Sequence, residues 1–312
     1  MFEYNYNPKD HILDIMLPKQ IKFSFSFLTE MTHFIQQILD LDCEVARVAC
    51  PQNAVYDNLS KAYLFMVLRS MIDAKRLLWS RDLAQNILPS IHPKTASKFE
   101  NIDLVKTLSA RDLSYYSFKS DDPITNAVNE IAKLLVENNV ALNADEIKEF
   151  LSTTIGEIFS NCFLHSNRNE AFLLYDIKLI DKFFYLTVNI TDFGKTLVSN
   201  VKDYFLSVKQ LQISSIDGFR WAITEGNTTR VGSGGYGLST LIDYVKKANG
   251  SLHIFSGDAY YSYYNGKPKI GLSRGKFAGT SVTFTAKLYD TSQVMTYDSS
   301  KKQLITISLD NI

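Results

Sequence analysis

Along the first half of this chain apolar positions repeat with strand and helical periods in turn. Beyond His165 they alternate almost strictly. Ile21, Phe23, Phe25 and Phe27 alternate with polar residues, the two-residue period of a half-buried strand, and Leu28 to Leu39 then reads as helix. Glu44 to Cys50 is a short strand stopped by Pro51. Asp57 or Asn58 is placed to cap a long helix that runs through Leu64, Val67, Leu68, Met71 and Ile72 towards Trp79. This order predicts a small α/β unit over residues 1–115, with the polar stretches Pro89 to Asp103 and Ser117 to Pro123 around its boundary.

In the second unit, residues 116–290, the pattern predicts two helices, Ile124 to Asn138 and Ala144 to His165. Phe172 to Ile180 and Phe183 to Thr191 follow as alternating strands joined by Asp181-Lys182, a hairpin signal. After a long polar segment, a glycine cluster at Gly232, Gly234, Gly235 and Gly237 opens a helix through Leu241, Ile242 and Val245. Ser251 to Ser256 and Thr280 to Leu288 read as further strands, with an aromatic hairpin around Tyr260 to Pro268 between them, and residues 291–312 as a tail. The expected fold class is α/β, of the α+β kind.

Composition narrows the setting. With 312 residues the chain suits two ordinary domains better than one large one. Thirty-three basic residues balance 33 acidic ones, so no broad field recommends nucleic acid or an anionic membrane as partner. The three cysteines, Cys43, Cys50 and Cys162, are widely spread and lack C-x-x-C spacing, which argues against a disulfide framework or structural zinc and fits a reducing cytoplasm. The first residues have neither a basic stretch nor an apolar run, and no transmembrane stretch of ~18 apolar residues occurs, so a soluble cytoplasmic protein is expected.

Candidate chemistry lies in the helix ending at His165. Glu157, Asn161 and His165 stand four residues apart, so a carboxylate, a carboxamide and an imidazole share one helical face. The same spacing describes the solvated stripe of an amphipathic helix whose apolar side is Ile155, Ile158, Phe159, Cys162 and Phe163. The glycine cluster can bring backbone amides close to phosphate oxygens at a helix start. It is not a P-loop, because Gly237 is followed by Leu-Ser-Thr, and not a dinucleotide fingerprint, because Asn227 to Arg230 before it reads as loop.

Together these segments are more specific. Glu157-x3-Asn161-x3-His165, Asp192-Phe193-Gly194 at a strand end, Gly232-x-Gly234-Gly235-x-Gly237-Leu238 opening a helix and Gly279-Thr280 entering a strand resemble the four boxes of the GHKL ATPase superfamily, over about residues 124–289. The resemblance implies a Bergerat-type two-layer α/β sandwich with a mixed sheet, preceded by the smaller α/β domain, and ATP with Mg²⁺ as ligands. It implies Asn161 as the protein ligand to Mg²⁺, Glu157 as general base, and Asp192 as acceptor for the adenine amino group, with Gly194 and Thr280 beside it. His165 would lie near phosphate, the loop from Gly232 to Gly237 would wrap the phosphates, and Leu238 would begin the helix behind them. Thr228, Thr229 and Arg230 fall in the segment that the family uses as an ATP lid, where Phe219 to Ile223 reads as a short helix.

Within the superfamily, a histidine kinase is disfavoured, because His33 lacks the neighbouring acid and following proline of a phosphoacceptor helix. A gyrase- or MutL-type machine would continue into a transducer domain, and few residues follow Leu288. The resemblance is nearest to compact bacterial proteins of the anti-sigma-kinase type, with an N-terminal unit reminiscent of STAS domains. It implies an ATP- and Mg²⁺-binding regulator acting on a protein partner, STAS-like or sigma-factor-related, and a homodimer is compatible with it. A serine/threonine kinase acting on a STAS-like partner and an ATP-hydrolysing component of a defence or stress complex are the alternatives.

Overall fold

The computed structural model describes residues 2–71, 76–87, 99–100, 115–119, 125–137, 144–168, 170–180, 183–229, 235–247, 249–290, 293–298 and 303–308. Its first part runs β1 (Glu3–Asn7), β2 (Ile12–Met16), β3 (Gln20–Ile21), α1 (Phe25–Asp40), β4 (Val45–Ala49), β5 (Val55–Tyr56), α2 (Asn58–Met71), β6 (Arg76–Ser80), α3 (Arg81–Ile87) and β7 (Phe99–Glu100). Five of these strands form a mixed sheet in the order β1-β2-β4-β6-β7, with β2, β4 and β6 parallel and the outer strands antiparallel. Helices connect the parallel strands, as such crossovers require.

The alternation at Phe23 to Phe27 does not make a strand. The Ser24 hydroxyl accepts from the Phe27 amide and caps α1, so Phe25 and Phe27 lie in its first turn. A helix turn that starts on a polar cap overrides a two-residue pattern only seven residues long. Asp57 does cap α2, its carboxylate accepting from the amides of Ser60 at 2.8 Å and of Phe23 at 2.9 Å. That helix ends at Met71, and Trp79 belongs to β6. Ile72 lies outside the described residues.

The second part comprises β8 (Tyr115–Lys119), α4 (Thr125–Glu137), α5 (Ala144–His165), β9 (Glu170–Ile180), β10 (Phe183–Asp192), α6 (Leu197–Lys209), α7 (Ser215–Ala222), α8 (Gly237–Lys247), β11 (Ser251–Tyr264) and β12 (Lys267–Asp290). Its sheet has the order β11-β12-β10-β9-β8. Every described pair in it is antiparallel, so the expected mixed sheet is corrected here; the mixed sheet is the first one. The reason is connectivity. β9 pairs with its successor β10 and β11 with its successor β12, and β12 rather than β11 lies beside β10. Within the expected tail, β13 (Gln293–Asp298) and β14 (Gln303–Ser308) pair antiparallel with each other.

Two cores hold these elements. Leu173, Leu186, Val188, Ile190, Leu252, Ile254, Val282 and Phe284 point from one face of the second sheet into a core closed by α4, α5, α8 and Phe219 of α7. The opposite face meets α1 and α2, whose other sides pack on Leu13, Ile15, Ala46 and Val48 of the first sheet. Phe25 of α1 sits 5.5 Å from Phe255 and 5.1 Å from Tyr260 of β11, ring centre to ring centre. The result is a four-layer stack: first sheet, α1 with α2, second sheet, then α4, α5 and α8. Among the described residues no helix is long and apolar enough to cross a membrane.

Candidate functional site

A cavity of about 280 Å³ opens at one end of the second sheet, on the face that carries α5 and α8. That is the size of a small-molecule cleft at the lower end of the usual range. The register of two strands creates its floor. Asp192 ends β10 directly opposite Thr280 of β12, and because strand side chains alternate, both point towards α5 while Thr191 and Ser281 point away.

Asp192 is 2% exposed. One carboxylate oxygen accepts from the Gly194 amide at 3.1 Å, and the Thr280 amide and the Cys162 thiol also donate to the carboxylate. Burial pushes this carboxyl up to about 7, against the opposing pull of the three donors. Burial and the charge of Asp192 together hold the Cys162 thiol well above its ordinary range, so it is a neutral donor rather than a nucleophile. The Thr280 hydroxyl bonds the Ser256 hydroxyl at 2.8 Å and accepts from the Leu197 amide at 3.3 Å, which ties the cavity floor to the start of α6.

The polar stripe of α5 forms one wall, with Glu157, Asn161 and His165 all lining the cavity. Glu157 is exposed, and Asn161 and His165 are half-buried, so the stripe is both solvated at the mouth and part of a wall within. Gly237, the first residue of α8, stands against it: a Cβ there would lie 2.9 Å from Glu157 Oε2 and 3.6 Å from Asn161 Nδ2. Leu238 lines the cavity beside it.

Glycine is required at two of these positions. At Gly194 a Cβ would lie 2.2 Å from the Ser166 carbonyl oxygen, because the turn after Asp192 crosses directly over the end of α5. The neighbouring Lys195 amide donates to that carbonyl at 2.6 Å. Gly235 has φ +87°, and its missing side chain leaves room for the backbone of Asn227, 2.4 Å from where a Cβ would be. This crossing, with the Gly226 amide donating to the Gly235 carbonyl at 3.2 Å, closes the loop that brings Thr228 and Thr229 to the rim. Arg230, Gly232 and Gly234 lie outside the described residues.

Several lining residues carried no signal in the sequence. The segment after Gly194 contains a full helix, α6, where only the shorter helix further on was expected. Thr196 caps it and Asn200 on it donates to the His165 carbonyl at 2.9 Å. Trp221 of α7 lines the cavity while stacked on Tyr204 of α6, with ring centres 5.4 Å apart. Lys195 lines it too, although its amine is paired with Asp203 at 2.7 Å. Cys162 was assigned to the apolar side of α5, where it does belong, yet its sulfur also reaches the cavity floor.

The donor set constrains what the cavity can hold. Among the described residues no cluster of three His, Cys, Asp or Glu side chains is placed to bind a metal ion. The Asn161 amide offers an oxygen of the hard kind that Mg²⁺ accepts beside phosphate and water. At the opposite end a buried carboxyl beside two backbone amides is suited to the polar edge of a heterocycle. No protein-family model matches this chain, and no curated protein matches it significantly.

Proposed function

We propose that the cavity is a Bergerat-type nucleotide site and that the protein is an ATP- and Mg²⁺-binding regulator of GHKL type, acting through a protein partner. The observation that carries this reading is the convergence on one cavity of four segments far apart in sequence: the α5 stripe, the turn at Asp192, the glycine-led start of α8, and Thr280. The placement of α4, α5 and α8 on a single face of the second sheet also supports it.

In this reading Asp192 accepts from the adenine amino group, and the Ser256-Thr280 hydroxyl pair keeps the floor rigid beneath it. Asn161 holds Mg²⁺, which supplies charge neutralisation for the phosphates when bound. Thr228 and Thr229 offer hydroxyls to the same anion from the rim. Glu157 orients or deprotonates the nucleophile, and its exposure at the mouth leaves room for either a water or the hydroxyl of a partner protein. The exposed Glu157 is the reason to keep a serine/threonine kinase beside a hydrolase as the second reading.

Isothermal titration with ADP and Mg²⁺ tests the reading. Binding by the wild type that is lost in Asn161→Ala and Asp192→Ala is the expected result. No binding by the wild type, or affinity unchanged in both variants, overturns it. With γ-labelled ATP, Glu157→Ala should retain nucleotide and lose turnover. Label recovered as free phosphate marks a hydrolase, and label on a STAS-like partner marks a kinase.

A further inference from the structure

The back of the nucleotide floor is built from hydroxyls and an amide where a core would ordinarily be aliphatic. Thr191 and Ser281 follow or precede Asp192 and Thr280 directly, point to the other side of the sheet and are at most 1% exposed. Asn189 Nδ2 donates to Ser281 Oγ at 2.9 Å and to Thr283 Oγ1 at 2.8 Å. Thr191 Oγ1 lies 2.9 Å from Asn189 Oδ1 and 2.8 Å from Ser281 Oγ. The last member comes from another layer: the Tyr63 hydroxyl of α2, itself buried, reaches Ser281 Oγ at 3.2 Å across 218 positions of sequence.

The Asn189 amide oxygen accepts from the Thr191 hydroxyl, which is also placed to donate to Ser281 Oγ. Ser281 Oγ accepts in addition from Asn189 Nδ2 and from Tyr63, the donor that enters from outside the sheet. A buried network of this kind is rigid, and removing its entering donor unties α2 from the residue next to Thr280.

We propose that Tyr63 is a positioning residue of the nucleotide site: through Ser281 and Thr191 it fixes the ends of β10 and β12 that present Asp192 and Thr280 to the opposite face. The N-terminal layer is thereby coupled to the nucleotide, and coupling of affinities is reciprocal. An event that pulls α2 off the sheet weakens nucleotide binding, and bound nucleotide tightens α2 against the sheet. This inference rests on the nucleotide reading, and its test separates the two.

The full-length chain is compared as wild type, Tyr63→Phe and Thr187→Val. The last removes a hydroxyl from the same sheet face, where Thr187 pairs with Thr285 at 3.1 Å outside the ring. Titration with ADP and Mg²⁺ gives affinity, and amide hydrogen exchange without nucleotide gives the order of the Gly194 and Thr280 amides that hold Asp192. Tyr63→Phe should weaken ADP about three- to tenfold and speed exchange at both amides about tenfold, with Thr187→Val changing neither by more than about twofold. Tyr63→Phe within about twofold of wild type in both measurements, or Thr187→Val moving them equally, overturns the proposal. If the wild type binds no ADP, the nucleotide reading falls, and the exchange measurement alone decides whether Tyr63 positions the Asp192 turn.

Discussion

On the side of the second sheet that meets α5 and α8, Leu173, Val188, Ile190, Val282 and Phe284 form a wholly apolar contact. On the side that meets α1 and α2, the central positions of β10 and β12 are Asn189, Thr191, Ser281 and Thr283. Both sides are equally buried, yet one is held by dispersion and exclusion of water and the other by directional bonds. The apolar side tolerates small displacements, because contacts among aliphatic groups change gradually with distance. The polar side does not: its bonds are made or missed. Fixed geometry has been placed directly behind the carboxyl that the proposed function needs most.

Substitutions can break this contrast. Phe284→Ala opens a cavity in the apolar side and should cost about 3–5 kcal/mol of stability in denaturant unfolding. Asn189→Ala strands the hydroxyls of Thr191, Ser281 and Thr283, for a cost of about 1–3 kcal/mol. If Asn189→Ala proves the more damaging of the two, the polar face is the principal support of the fold and the contrast drawn here is reversed.

Acidity sharpens it further, because each face carries a titrating group shifted by desolvation. In the proposed function the ionised form of Asp192 accepts from adenine, so nucleotide affinity should fall about tenfold from pH 8 to pH 6 as the carboxyl, raised to about 7, takes up a proton. Titration calorimetry across that range reads it, and a flat profile contradicts the assigned role.

Stability should respond in the opposite sense on the two sides. Asp192 is raised above its ordinary value, so its contribution is present in acid and lost as pH rises through about 7. His253, half-buried on the α1 side and bonded to Ser262 at 3.0 Å, is lowered to about 4 by desolvation. Its contribution is present above its ordinary value and lost as pH falls towards 4. Thermal unfolding of Asp192→Asn should lose the decline as pH rises from about 4 to about 7, and that of His253→Gln the decline as pH falls from about 6.5 to about 4.

The same contrast explains what was legible in the sequence. The long helix α5, the β9-β10 strands and the glycine-led start of α8 follow from local pattern alone. The hydroxyl-rich alternate positions of β10 and β12 read as a solvent face, because nothing local distinguishes a serine in water from one bonded to a tyrosine 218 positions away. The docking of α1 and α2 was therefore hidden. α6 was missed because its apolar residues do not mark one stripe: Val198 and Val201 are buried, whereas Leu206 and Val208 are exposed. Of the candidate site, the stripe, Asp192, Gly237 and Thr280 were readable as motifs, whereas Trp221 and Asn200 depend on how α6 and α7 fold back.

The arm of β12 that precedes Thr280 lies along α1. Arg274 pairs with Glu30, the Gly275 amide donates to Thr32 Oγ1 at 3.2 Å, and the Lys276 amide donates to Gln36 Oε1 at 3.2 Å. These partners stand 240 to 244 residues apart in the chain. During synthesis α1 must therefore wait roughly 12 to 48 seconds after it emerges before the strand that covers it exists. Over that interval its outer face is open to chaperones and to neighbouring nascent chains, and refolding is slowed by the closure of so long a loop. The N-terminal layer is thus made well before the strand that covers it and is finished only with it.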